Sequence, residues 1–352
     1  MRWGIGYLFT PREEYFDMTH EFKKIIAEYG IATKADVKCV LATVVALDGS
    51  SYRRPGVRML LLENGKMVGA VSGGCVEKEV FRQAASVFKS GIAKVMTYDG
   101  RYRLGCEGVL YILLEPMELP ATTHQALVDT LVSRAAFELD SHFEKAHREN
   151  HAFGTVLKTG EHHLPFRNSL ATAEDTAIFH QKMEPCFRLV IAGAEHDTVQ
   201  LCSLAAMMGW TITVIVHPKE EKELIDFPGA SELIADEGEN LNLVVDKETA
   251  IVIMTHSYVK DLKYLQALKD VKPLYLGLLG PSRRREKLFN ELIEMHPDMD
   301  WEFLEHIHGP AGLDIGAETP QEIALSILSE IIAVANEKSV HSLKEKAGRI
   351  HA

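Results

Sequence analysis

The thirty residues from 48 to 77, DGSSYRRPGVRMLLLENGKMVGAVSGGCVE, constrain the fold more tightly than any other stretch, because they fix where two polar loops must meet. Residues 57–62 and 66–71 are short, aliphatic and β-branched. Glu63-Asn64-Gly65 between them carries the Asn-Gly pair favoured in tight hairpin turns, where both central residues take φ > 0. The two runs are therefore expected to be antiparallel neighbours. GSSYRRPG before the first run then lies at the same end of the hairpin as SGGC after the second. Two guanidinium groups (Arg53 and Arg54), four hydroxyls and the thiol of Cys75 share one rim.

Beyond the rim, Val76, Val80, Ala84, Val87 and Phe88 fall on one helical face, so Ser72-Gly73-Gly74-Cys75 reads as a glycine-rich turn into a helix N-terminus. Free amides and the positive end of the helix dipole suit an anion there and lower a thiol's pKa. The combination reads as a site for an anionic ligand that also involves sulfur. A plainer alternative is a strand-turn-helix corner with Cys75 packed inside and both arginines in solvent. The convergence of these features at one end of a hairpin favours the site.

A chain of 352 residues has length for two domains. Its formal charge of -12 argues against a nucleic-acid surface, which needs clustered Lys and Arg. Cys39, Cys75, Cys106, Cys186 and Cys202 are scattered, without C-x-x-C spacing or a run suited to iron-sulfur clusters. This usage fits a reducing cytoplasm. No apolar run is long enough to span a bilayer, and Pro-Arg-Glu-Glu after the apolar residues 3–9 does not read as a signal peptide. Residues 1–17 are expected to be an appendage, with an amphipathic helix (Phe22, Ile25, Ile26, Tyr29) opening at Met18.

Residues 37–47 form a nearly continuous apolar run, which reads as a central strand feeding the rim loop. Further strands are expected at 94–98 and 109–114. Between them, Leu104-Gly105-Cys106-Glu107-Gly108 holds a second glycine-flanked cysteine. A helix is expected over 124–137. From 138 to 185 the signal weakens, with short strands at 153–158 and 176–180, and His162-His163 reads as a solvated loop. We expect a first domain at 18–184, a second at 185–338 and a tail at 339–352.

At Phe187 the texture becomes alternating strand and helix, and residues 187–218 parse as a βαβ unit of a doubly wound parallel sheet. The second domain is thus Rossmann-like. The dinucleotide fingerprint would start at Gly193, but Glu195 stands at its second glycine and Thr198 at its third. The second strand ends in His217 instead of an acidic residue, so NAD(P) binding in the usual manner is not expected. Gly280, Ser282 and Arg283 open a helix whose first turn holds three arginines, with Ser282 expected as its N-cap. Cations there oppose the dipole, which leaves either a nearby anion or an outward basic face as their explanation. Asp314, Gly316 and Glu318 belong to a glycine-rich loop before the capping box Thr319-Pro320-Gln321-Glu322. These loops, with His196 beside Glu195, are the candidate ligand loops of the second domain.

Taken together, GSSYRRPGVRML, SGGCVE, RLGCEG with a strand ending LLEP, YLGLLGPSRRR and GLDIGAETPQEIALSI resemble the XdhC/CoxI family, accessory proteins of molybdenum hydroxylases such as xanthine dehydrogenase. The resemblance implies an α/β fold with an N-terminal XdhC-type domain and the C-terminal Rossmann-like domain. It implies binding of the molybdenum cofactor (molybdopterin), support of its sulfuration, and insertion into the hydroxylase, with a cysteine desulfurase as a candidate second partner. Carried over by position, its cofactor-binding candidates are Arg53, Arg54, Ser72, Gly73, Gly74, Cys75, Glu77 and Cys106, with Cys75 placed near molybdenum. A carrier or chaperone without turnover of its own is expected, against the alternative of an NAD(P)-dependent oxidoreductase. A homodimer is expected from common oligomer symmetry alone.

Overall fold

Phe22, Ile25, Ile26 and Tyr29 recur with the helical period, and in the computed structural model they form the buried face of α1 (Thr19–Lys34). The described residues are 18–49, 54–72, 74, 76–100, 108–170, 176–238, 241 and 243–346. The expected appendage at 1–17 lies outside them. Between Cys186 and Phe187 the chain passes from one compact unit to another.

In the first unit the apolar run after Val37 becomes β1 (Cys39–Asp48), buried over its first eight residues, as a strand covered on both faces requires. It pairs antiparallel with β2 (Arg58–Leu62), which pairs with β3 (Met67–Gly69). The expected hairpin is present, but its turn differs. Only Gly65 takes positive φ, at 93°; its amide donates to Leu62 O at 2.9 Å, and the Leu62 amide donates to Lys66 O at 2.9 Å. Glu63-Asn64-Gly65 is therefore a three-residue loop closed by a left-handed glycine, and Asn64 Oδ1 accepts the Lys66 amide instead of lending the turn a second positive φ.

Next come α2 (Glu77–Ser90), β4 (Lys94–Asp99), β5 (Val109–Pro116), α3 (Ala121–Ser133), β6 (Phe137–Phe143), β7 (Arg148–Glu149), β8 (Gly154–Thr159), β9 (His162–Pro165) and β10 (Ala177–Met183). One sheet has the order β3-β2-β1-β5-β4-β7 and a second the order β10-β6-β8-β9. The second sheet corrects the reading of the middle of the chain. The helix expected over 124–137 ends at Ser133, Arg134 turns left-handed at φ 56°, and Phe137 opens a strand. Phe137, Leu139, Phe143 and Leu157 are buried, whereas Glu138 and Lys158 face each other in register on the other side. Such half-polar strands are short of apolar residues, which is why the signal weakened there. His162 and His163 are exposed on β9 instead of lying in a loop.

The second unit contains β11 (Arg188–Ala192), α4 (His196–Met207), β12 (Thr211–Val216), β13 (Glu232–Ala235), β14 (Thr249–Ile253), α5 (Tyr258–Leu268), β15 (Tyr275–Leu278), α6 (Ser282–Met295), α7 (Trp301–Glu305), β16 (Ile307–His308) and α8 (Pro320–Ala335). Its sheet is parallel, in the order β13-β12-β11-β14-β15-β16. The order reverses between β11 and β14, the topological switch point at which doubly wound folds bind ligands. Leu189, Val214, Ala250 and Val252 form one core with Ala324, Ile327, Leu328 and Ile331 of α8. The short edge strands β13 and β16 escaped the sequence pattern. Among the described residues, no helix is long and apolar enough to cross a membrane.

Candidate functional site

The rim forms where β3 runs into α2. Ser72 and Glu77 are brought together there. Glu77 Oε1 accepts the Ser72 amide at 2.8 Å, and both carboxylate oxygens accept the Ser72 hydroxyl at 2.9 Å. Ser72 Oγ in turn accepts the amides of Gly74 at 3.1 Å and Val76 at 3.3 Å, and Glu77 Oε2 accepts the Val76 amide at 3.2 Å. Partial burial pushes the Glu77 carboxyl up. Hydrogen bonds from its own amide, from the Ser72 hydroxyl and amide and from Val76 outweigh that and hold it below its ordinary range. The amides read from sequence as free for an anion are thus engaged at Ser72, Gly74 and Val76 by the chain's own side chains. Gly74 faces open space, since a Cβ there would meet nothing within 4 Å. Arg54 is half-buried at the start of the loop leading to β2, while Arg53, Gly73, Cys75 and Cys106 lie outside the described residues.

The described cysteines are ill suited to sulfur chemistry. Cys39, Cys186 and Cys202 are buried free thiols. Burial, helped by the charge of Glu28, pushes Cys39 up to about 11, and burial alone pushes Cys202 up to about 11, so both stay protonated near neutrality. A cleft of about 560 Å³ opens between the last turns of α1 and α2, lined by Tyr29, Thr33, Cys39, Phe88, Met117 and Leu119. It lies at the opposite end of the sheet from the rim.

In the second unit, Gly193 turns the chain out of β11, its amide donating to Ile215 O at 3.0 Å. A Cβ there would fall 2.6 Å from Met254 O. Gly193→Ala is accordingly expected to lower stability by about 1–3 kcal/mol, read by denaturant unfolding. Glu195 and His196 are exposed where α4 begins. Asp197 Oδ2 lies 3.2 Å from His256 Nε2, which ties together the two loops flanking the switch point.

Pro281, not Ser282, is the N-cap of α6; Ser282 is its first helical residue, because Pro281 already holds the extended conformation a cap needs. Two of the three arginines after it have internal partners. Arg284 donates through Nε and Nη2 to Asp261 Oδ2 at 3.1 and 2.6 Å, and Arg285 Nη1 donates to Gly309 O. Arg283 is exposed. These contacts, not the dipole, account for cations at that helix start. Asp314, Gly316 and Glu318 are exposed, and Glu318 donates its amide to Glu322 Oε2 at 3.0 Å. The predicted capping box is present, with Thr319 and Glu322 exchanging hydrogen bonds and Pro320 in the first turn.

One group that sequence reasoning missed anchors this glycine-rich loop. Glu330 Oε2 accepts the Gly312 amide at 2.7 Å and the Tyr275 hydroxyl at 2.6 Å, and Oε1 lies 3.1 Å from His308 Nδ1. Burial pushes the Glu330 carboxyl up, but His308, Tyr275 and Gly312 together hold it below its ordinary range. A glutamate one turn from Ile327 on a helix with a buried face was the available signal, since a charge there requires partners.

Comparison with known proteins agrees with this architecture. The XdhC Rossmann domain matches residues 189–331, and the XdhC and CoxI family matches residues 32–99. A protein of Bacillus subtilis (strain 168) described as a probable xanthine dehydrogenase component is 31% identical over 86% of this chain and 95% of its own length. The molybdenum cofactor insertion chaperone PaoD of Escherichia coli (strain K12) is 26% identical over 84% of this chain and 83% of its own. A crystal structure described as a xanthine dehydrogenase from Bacillus halodurans superposes with a TM-score of 0.73 at 26% identity, covering 89% of this chain and 96% of that one. The chain belongs to the XdhC and CoxI family.

Proposed function

We propose that this protein is an accessory factor that binds the molybdenum cofactor, supports its sulfuration and inserts it into a hydroxylase of the xanthine dehydrogenase type in the cytoplasm. The observation that carries the reading is the match to a molybdenum cofactor insertion chaperone along most of both chains. Some relatives carry the name of the hydroxylase itself. The scattered cysteines of this chain, without an iron-sulfur run, favour the accessory role over that of the enzyme.

In this reading the cofactor is cargo and the rim is its seat. Ser72 and Glu77 satisfy each other, so they shape the loop and leave phosphate recognition to Arg53 and Arg54. Cys75 and Cys106 supply the sulfur contacts, since the described cysteines are buried. Gly73 and Gly74 let the backbone approach the cargo closely. Gly193, Glu195, His196, Gly280, Ser282, Arg283, Asp314, Gly316 and Glu318 line loops of the second unit that are open to a partner or a second ligand. A cysteine desulfurase as sulfur donor and a homodimer as the working state belong to the same proposal.

Activation of a cofactor-free hydroxylase tests it. The protein preloaded with cofactor should restore xanthine oxidation faster than free cofactor does. Equal rates with and without the protein would contradict the accessory role.

A further inference from the structure

Between the two sheets of the first unit lies a set of polar groups that the rim does not use. Thr43 and Arg58 are register partners on β1 and β2, and Glu115 of β5 stands opposite Leu41, two residues along β1 from Thr43. Alternation along a strand puts Thr43, Arg58 and Glu115 on one face. The other sheet meets that face with Ser141, Thr155 and Gln181. Thr155 donates to Glu115 through its amide at 2.8 Å and its hydroxyl at 2.5 Å, Ser141 Oγ lies 3.0 Å from Thr155 Oγ1, and Arg58 Nη1 donates to Gln181. Arg167, just after β9, donates through Nη2 to His151 O at 2.7 Å and Phe153 O at 2.6 Å.

This compartment is closed to solvent. Arg58 is 3% exposed, Arg167 2%, and Thr43 and Glu115 0%. Yet Arg58 Nε and Nη2, Arg167 Nε and Nη1, and Thr43 Oγ1 have no hydrogen-bond partner. Among the described residues, neither guanidinium forms an ion pair with Glu115, although both feel its charge. Burial pushes Arg58 down to about 10, and Glu115 opposes that fall. Two cations and at most one anion leave a positive charge without its counterpart, and buried donors do not stay unpaired. Water would satisfy the donors but not the charge; a small anion satisfies both.

We propose that the compartment holds a small monovalent anion of the halide class, enclosed as the unit folds and held by the free guanidinium N–H groups of Arg58 and Arg167 and the hydroxyl of Thr43. Its role is structural. It completes the joint between the sheet that carries the rim and the sheet behind it.

The full-length protein, freed of halide in gluconate buffer, is unfolded thermally across a chloride series at constant ionic strength. Tm should rise with chloride, by about 5 °C over a hundredfold range above the dissociation constant. Thr43→Val, nearly isosteric, and Arg58→Met should flatten that dependence, and the first keeps the test open if the second does not fold. Protein refolded in bromide and crystallised should show an anomalous peak against the Arg58 or Arg167 guanidinium. A Tm indifferent to halide in the wild type, or an ordered water with no bromide signal at that position, would overturn the proposal.

Discussion

Asp261→Ala is expected to destabilise the second unit by about 3–5 kcal/mol and lower its Tm by about 10 °C. Asp261 is 1% exposed and joins three elements. Its Oδ1 accepts the Thr255 hydroxyl at 2.5 Å and the Thr255 amide at 3.3 Å, and its Oδ2 takes both donors of Arg284. Alanine would strand a largely buried guanidinium and a buried hydroxyl together, and the desolvation cost of the abandoned charge dominates. Asp261→Asn keeps the acceptor for Thr255 and should cost less. A double-mutant cycle with Arg284→Met should recover part of the loss, because removing both partners abandons neither. Additive losses in that cycle would show that the pair does not act as a unit.

The second large effect concerns Glu77. Glu77→Ala is expected to weaken cofactor binding at least tenfold, about 1.4 kcal/mol, by freeing the loop from Ser72 to Val76. The bonds to Ser72 and Val76 are made to a charged acceptor and are therefore stronger than neutral ones. The sign of the pH dependence follows from the depressed carboxyl of the folded state. A group of this kind contributes stability above its unfolded pKa, about 4.3 for glutamate, and loses it as pH falls through the lower folded value. The Ser72 and Val76 amide resonances should therefore hold steady from neutrality to about pH 4.3 and shift together below it. In Glu77→Gln the acid transition should vanish while part of the binding survives. Unchanged cofactor affinity in Glu77→Ala would mean that the loop needs no such anchor.

Much of this architecture was legible in the chain, and the failures have physical causes. The strands of the second unit are covered on both faces and read as unbroken apolar runs, so β11, β12, β14 and β15 stood out. In the second sheet of the first unit, one face is built of residues such as Glu138, Lys158 and His180, and periodicity alone could not separate those strands from loop. The rim was legible as a meeting of loops because hairpin geometry forces it. The use of its amides was not legible. That Glu77, at the first position of α2, would turn back to Ser72 depends on a side-chain conformation, and sequence spacing gave only the proximity of a carboxylate to a helix N-terminus. The three arginines of α6 show the same limit, since Asp261 and the Gly309 carbonyl approach them only through tertiary packing.

The most direct test of the cofactor-carrier account is an anaerobic titration of the purified protein with molybdenum cofactor, wild type beside Cys75→Ala, counting pterin and molybdenum bound per chain. The account predicts near-stoichiometric binding by the wild type and its loss in the variant, with both proteins melting at the same temperature. Absence of binding by either protein would contradict it and turn attention to the loops of the second unit, with NAD(P) the next ligand to try.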